Sequence, residues 1–293
     1  MFQYQQHSCP LAFTQLRVRQ LEREPAPAEA RASARNSRER RESQASRRQK
    51  LIGKSPAVAL RSRKVSQMGN AGLNSHNTRG PSFVTNARWY FDFISPFAYL
   101  QLARFPQLPP SLETAPVPVM FAGLLKHWGQ LGPAEIPPKR RFVYRFFQWN
   151  ADQLGIPFAM PPRHPYNPLP SLRLCVAAGG HIDHVRAVFD VIYGQGVQPD
   201  TPEGVDAMAQ ALGISDPDAA MSDSYVKDAL RDNTQRAIAE GVFGVPTFVV
   251  EGQVFWGGDA TDMLLSYLDD PALFETPEMK RISEMPMGLT RRK

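Results

Sequence analysis

Trp89-Tyr90-Phe91-Asp92-Phe93-Ile94-Ser95-Pro96-Phe97-Ala98-Tyr99 is the stretch on which the fold turns. Apart from Asp92, residues 89–94 are aromatic or branched, the content of a buried strand. Ser95-Pro96 then reads as a helix N-cap followed by proline at the first helical position, and Tyr99, Leu100, Ala103 and Phe105 supply an apolar face. Beyond Pro109-Pro110, the segment 112–120 contains prolines that predict an edge strand. A β-α-β unit results. From Phe121 to Gly241 the pattern is helical throughout, with helices predicted over 139–154, 169–178, 182–193, 203–212 and 222–240. Residues 245–250 then read as a strand, Glu251-Gly252-Gln253 as a tight turn and Val254-Phe255-Trp256 as the hairpin partner. A final helix follows Asp259, its natural N-cap.

The order β-α-β, helical block, β-β-α predicts an α/β fold with a large all-helical insertion. The expected division is a sheet domain of residues 87–120 and 241–272, an insertion of residues 121–240, a tail of residues 273–293 and a leader of residues 1–86. That leader carries 16 Lys and Arg against 5 Asp and Glu, whereas the remainder carries 18 against 23, so the basic balance belongs to the leader. A nucleic-acid reading of the globule is discounted accordingly. Runs such as Arg38-Glu39-Arg40-Arg41 offer too little apolar surface to offset ordering entropy, and a disordered, solvated leader is expected. An organellar presequence and a translation start at Met68 are the alternatives; no secretory signal pattern is present. No apolar run approaches the ~18 residues of a membrane span, which predicts a soluble chain. Cys9 and Cys175, one in the leader and one in a helical stretch, give no disulfide framework and fit a reducing, cytoplasmic compartment. The 6 histidines form no recognisable set of metal ligands, so no metal site is expected.

The junctions Ser95-Pro96-Phe97-Ala98 and Val245-Pro246 resemble the two slots of the thioredoxin superfamily, where a Cys-x-x-Cys helix start faces a cis-proline. With Ser95 and Ala98 in the cysteine positions, a dithiol–disulfide cycle is excluded at this site. Five segments carry a narrower likeness: 90–99, 138–141, 154–158, 241–248 and 255–259. In that order the chain resembles the 2-hydroxychromene-2-carboxylate isomerases, relatives of kappa-class glutathione transferases and DsbA-like oxidoreductases. The resemblance covers about residues 88 to 270 and implies a thioredoxin-like fold, glutathione as cofactor and a homodimer.

Ser95 has two readings. It caps its helix, or its hydroxyl, among unsatisfied amides at the positive end of the dipole, steadies an anion such as a thiolate. A hydroxyl bond to a charged acceptor is worth about 1.5 to 3 kcal/mol and the helix terminus about 0.3 to 2, enough to lower a thiol pKa by roughly one to two pH units. A cis Val245-Pro246 bond would present the Val245 backbone for strand addition of a peptide ligand. The resemblance implies that Trp256, Gly257, Gly258 and Asp259 bind the γ-glutamyl end of glutathione, Asp259 at its ammonium. Among cations and amides of the helical block, Lys126, Lys139, Arg140, Asn167 and Arg173 are candidates for a substrate carboxylate, with Lys139 and Asn167 first. His164 is weak as an acid or base, and Tyr99 is expected in the core.

The implied activity is a glutathione-dependent isomerisation, in which the Ser95-steadied thiolate adds reversibly to an unsaturated, aromatic-derived carboxylate. A kappa-like transferase conjugating electrophiles and a non-catalytic thioredoxin-like binding module are the alternatives. No nucleic acid or membrane partner is expected.

Overall fold

The computed structural model describes residues 84–289. The leader before Val84, with Met68 and Cys9, and residues 290–293 lie outside the described residues. A sheet of four strands runs in the order β2-β1-β3-β4, with β1 Thr85–Phe91, β2 Leu112–Pro118, β3 Thr247–Val250 and β4 Gln253–Trp256. β1 pairs parallel with β2 and antiparallel with β3, placing Trp89 beside Pro116 on one side and Phe248 on the other. β2 is the edge, where the missing N–H groups of Pro116 and Pro118 deprive no further strand of a donor. Thr85 and Asn86, assigned to the leader by composition, are the first residues of β1.

Alternation along the strands splits the core into two faces. Trp89, Phe91, Phe248, Val250 and Phe255 join one apolar cluster, while Tyr90, Val249 and Val245 join another. Between β1 and β2 lies α1, Pro96–Leu102. The helical block contains α2 Phe121–Trp128, α3 Pro137–Leu154, α4 Leu169–Ala177, α5 Ile182–Phe189, α6 Pro202–Leu212, α7 Pro217–Ser222 and α8 Ser224–Ala239. After β4 come α9 Thr261–Asp269 and α10 Pro277–Ser283. The stretch 222–240, predicted as one helix, is interrupted because Asp223 takes an extended ψ and its carboxylate caps α8 through the Tyr225 amide.

The helical block is not a separate body beside the sheet. Phe93, just past β1, packs on Phe189 at the end of α5, with ring centroids 4.7 Å apart, and Cys175 and Leu172 of α4 join the same cluster as Trp89. The residues expected to form a tail likewise begin on this core: Phe274 stacks against Tyr267 with centroids 5.5 Å apart and lies 6.0 Å from Phe255. Past α5 the chain makes a π-helical turn over Asp190–Gly194 in place of the last turn of the predicted helix 182–193. Among the described residues no helix is long and apolar enough to cross a membrane.

β1 ends at Phe91, not at Ile94. The buried Asp92 carboxylate accepts the Ile94 amide at 3.0 Å and the Phe121 amide at 2.8 Å, turning the chain out of the sheet and tying it to the start of α2. Burial pushes the Asp92 carboxyl up to about 7, against the opposing pull of those two amides.

The far end of the sheet is held by Glu240. Its carboxylate takes two bonds from Arg88, each 3.0 Å, and one from the Tyr90 hydroxyl at 2.9 Å. The Arg88 side chain is partly exposed, so the Tyr90 bond carries most of the value. Glu240→Ala is expected to cost about 1 to 2 kcal/mol in chemical denaturation, because a buried phenol loses its acceptor.

Candidate active site

Two lobes of one cleft meet at Phe97, Pro133, Val143 and Val245, which line both. The apolar lobe, of about 340 Å³, takes Ile94, Ser95 and Pro96 from the strand-to-helix turn, Phe121 and Leu125 from α2, Tyr144 and Phe147 from α3, and His164. The polar lobe, of about 400 Å³, takes Gln101 and Arg104 from the α1 side, Lys139 and Asn150 from α3, and Pro246 with Trp256 to Asp259 from the hairpin side. One helix therefore closes both: α3 presents Lys139 and Phe146 to the polar lobe, Tyr144 and Phe147 to the apolar lobe, and Val143 to the seam. Phe146 stacks with the exposed Phe142 and Trp149, centroids 5.7 and 6.0 Å away, as an aromatic lip.

Ser95 sits at the N-cap of α1 with Pro96 behind it, as read from sequence. No amide of the helix donates to its hydroxyl, and no hydrogen bond to that hydroxyl exists among the described residues. At 7% exposure it is a nearly buried polar group lining a cleft with its bonding capacity unspent. The Val245-Pro246 bond is cis, and both residues line the cleft beside it. Tyr99 is in the core, its hydroxyl donating to the Pro157 carbonyl at 2.7 Å.

Behind Ser95 lies a network that sequence reasoning undervalued. His164 Nε2 is 2.8 Å from the Ile94 carbonyl, and its Nδ1 is 2.8 Å from the Tyr144 hydroxyl, which also reaches the His164 carbonyl at 2.7 Å. A carbonyl only accepts, so Nε2 carries the proton and Nδ1 of the neutral ring accepts. Burial holds the imidazole below its usual pKa and raises that of the Tyr144 phenol. The signal for Tyr144 in the sequence is its place one position after Val143 on the inward face of α3; its partner is brought by a loop.

The Trp256–Asp259 turn is held from below. Trp89 Nε1 donates to Gln101 Oε1 at 2.7 Å, and Gln101 Nε2 donates to the Gly257 carbonyl at 2.9 Å. Arg104 donates to the Gly258 carbonyl at 3.1 Å, and the Gly257 amide to the Pro246 carbonyl at 2.9 Å. Gly257 has φ 88°, where a side chain would be strained. Asp259 does not cap the helix that follows it: α9 begins at Thr261 with Ala260 at the cap, and Asp259 lies in the preceding 3₁₀ turn, lining the polar lobe. Gln101, in α1, and Arg104, just past it, carry no mark of this role in the sequence, because they reach the turn only through the fold.

Not every candidate reaches the cleft. Lys126, in the last turn of α2, lines neither lobe. Asn167 is exposed and lies two residues before α4, its side chain accepting the Leu169 amide at 3.1 Å. Arg140 and Arg173 also line neither lobe. Lys139 does reach the cleft, but on the polar side, away from Tyr144 and His164.

A family model for the DSBA-like thioredoxin domain matches residues 88–269. The chain belongs to that family. This DSBA-like chain is 29% identical over 194 residues to a 2-hydroxychromene-2-carboxylate isomerase of Sphingobium xenophagum, covering 62% of the chain and 97% of the relative. It is 28% identical over 207 residues to a glutathione S-transferase kappa 2 of Caenorhabditis elegans, covering 63% and 92%. A solved 2-hydroxychromene-2-carboxylate isomerase superposes with a TM-score of 0.56 at 25% identity, covering 64% of the chain and 96% of that structure. The shared DSBA-like fold is the thioredoxin arrangement read from the strand order.

Proposed function

We propose that the protein is a glutathione-dependent enzyme that isomerises an unsaturated, aromatic-derived compound by reversible thiol addition. The observation that carries this reading is the Ser95 hydroxyl, unpartnered among the described residues, in an apolar lobe that adjoins a polar one through Phe97, Pro133, Val143 and Val245. Bound in the cleft, glutathione would supply a thiolate able to add to an electrophilic carbon and leave again, so that a double bond is single long enough to rotate. Ser95 donates to the sulfur and favours its anion. Arg104 and Lys139 offer two cations and Asp259 one anion in the polar lobe, the complement of the two carboxylates and one ammonium of the tripeptide. Lys139 accordingly moves from a substrate contact to a tripeptide contact. Val245, at the seam, and Pro246, in the polar lobe, flank the sulfur position.

Relatives named as isomerases and as a kappa transferase support a common thiol chemistry and divide on its outcome. Turnover without loss of glutathione supports isomerisation; stoichiometric loss overturns it in favour of conjugation. Calorimetry tests the binding step, and Lys139→Ala is expected to weaken glutathione about two- to fivefold, as befits an exposed charge pair. Absence of any glutathione uptake would leave the binding-module reading standing.

A further inference from the structure

We infer that the apolar lobe admits a flat, uncharged electrophile and rejects a carboxylate. The inference rests on the glutathione reading above and names the substrate class for the same site, in place of the carboxylate implied by resemblance.

The lining decides it. Phe97, Phe121, Leu125, Val143 and Phe147 supply apolar walls, and among the described residues no Lys or Arg lines this lobe. Its polar side chains are Ser95, Tyr144, His164 and Glu135. Two of these spend their protons inward. His164 Nε2 donates to the Ile94 carbonyl, and the single Tyr144 proton goes to Nδ1 or the carbonyl of His164. Ser95 is the donor left over, and the sulfur takes it. Glu135 adds a carboxylate to the wall, where it accepts the Gly132 amide at 2.6 Å.

A substrate carboxylate entering this lobe would lose water and find no counter-ion in its lining; Glu135 is exposed, so water screens its charge as well. The imidazole does not replace the missing cation, because its burial favours the neutral ring. Among the described residues, the cations that line the cleft, Arg104 and Lys139, are in the other lobe. Two more stand outside. Lys126 follows Leu125 on α2, and Arg140 precedes Tyr144 by one turn of α3, near enough for its charge to be felt at the phenol. Both are exposed, where water screens them. A volume of about 340 Å³ is at the small end for an organic ligand and suits one or two rings.

The test uses matched pairs that differ by one carboxylate. Benzylacetone and its para-carboxylate do not react with thiols and report binding alone; the Z isomer of benzylideneacetone and its para-carboxylate report turnover. With the full chain loaded with glutathione, benzylacetone is expected to bind at least about tenfold tighter than its carboxylate, and the kcat/KM ratio for the reactive pair to reach about a hundredfold. Equal or tighter binding of the carboxylate overturns the inference, and loss of that binding in Arg140→Ala would identify the cation responsible. Failure of calorimetry to detect glutathione instead sinks the proposed function; the benzylacetone ratio, measured on the chain alone, still decides the character of the lobe.

Discussion

Ser95→Ala is expected to lower kcat/KM of the glutathione-dependent reaction by about 10- to 150-fold, the value of one charge-assisted hydroxyl bond of about 1.5 to 3 kcal/mol. The direction in pH follows from the same bond. A donor that favours the anion lowers the pKa of the bound thiol, so removing it raises that pKa and moves the alkaline-rising limb of the pH–rate profile upward by roughly one to two pH units. Stability supplies the control. A serine that caps its helix costs about 0.5 to 2 kcal/mol when replaced by alanine. Here the hydroxyl accepts no amide of α1, so the melting midpoint should hardly move. A variant that loses stability but keeps its pH profile would mean that Ser95 is a cap and nothing more.

Asp92→Ala should produce the largest change in folding stability, and that change should depend on pH. The substitution strips the buried amides of Ile94 and Phe121 of their acceptor, at about 1 to 3 kcal/mol each, so a loss of about 2 to 5 kcal/mol is expected in acid. The wild-type carboxyl is raised in the folded chain from the ordinary 3.8 to about 7. Between those values the unfolded chain has released a proton that the folded chain still holds, so wild-type stability from this group is complete below 3.8 and declines as pH rises to about 7. A separation of about three pH units corresponds to about 4 kcal/mol. The gap between wild type and Asp92→Ala should therefore be widest near pH 4 and shrink toward neutrality, as read from urea midpoints across that range. A constant gap would show that the carboxyl titrates normally in the fold. Because Phe121 lines the apolar lobe, the same variant should loosen the wall of the site.

Much of this molecule is local in origin. Alternating aromatic and branched residues wrote β1, β3 and β4, and Glu251-Gly252, both with positive φ, wrote the hairpin turn between the last two. Ser95-Pro96 wrote the helix start that faces the cis Val245-Pro246 bond. Residue types at sequence neighbours govern these features, because backbone propensity and alternation act over a few positions. The helix phases were legible too, and with them the general course of the block from 121 to 240.

What the chain's order alone did not reveal are contacts between distant residues. Asp92 ends β1 early because the Phe121 amide, 29 positions away, reaches its carboxylate. His164 gains a role through Ile94, 70 positions back, and Arg104 through Gly258, 154 positions on. Lys139 and Asn167 were equal candidates by residue type; the rotation of α3 brings one into the polar lobe, while the other lies just before a helix at the surface. Residue type therefore determined the strand-to-helix junction, the absence of redox cysteines there and the place of Ser95. Packing decided which charges share the cleft, which protons are already spent, and that no cation among the described residues lines the lobe beside Ser95, since those properties depend on distances that only the closed core sets.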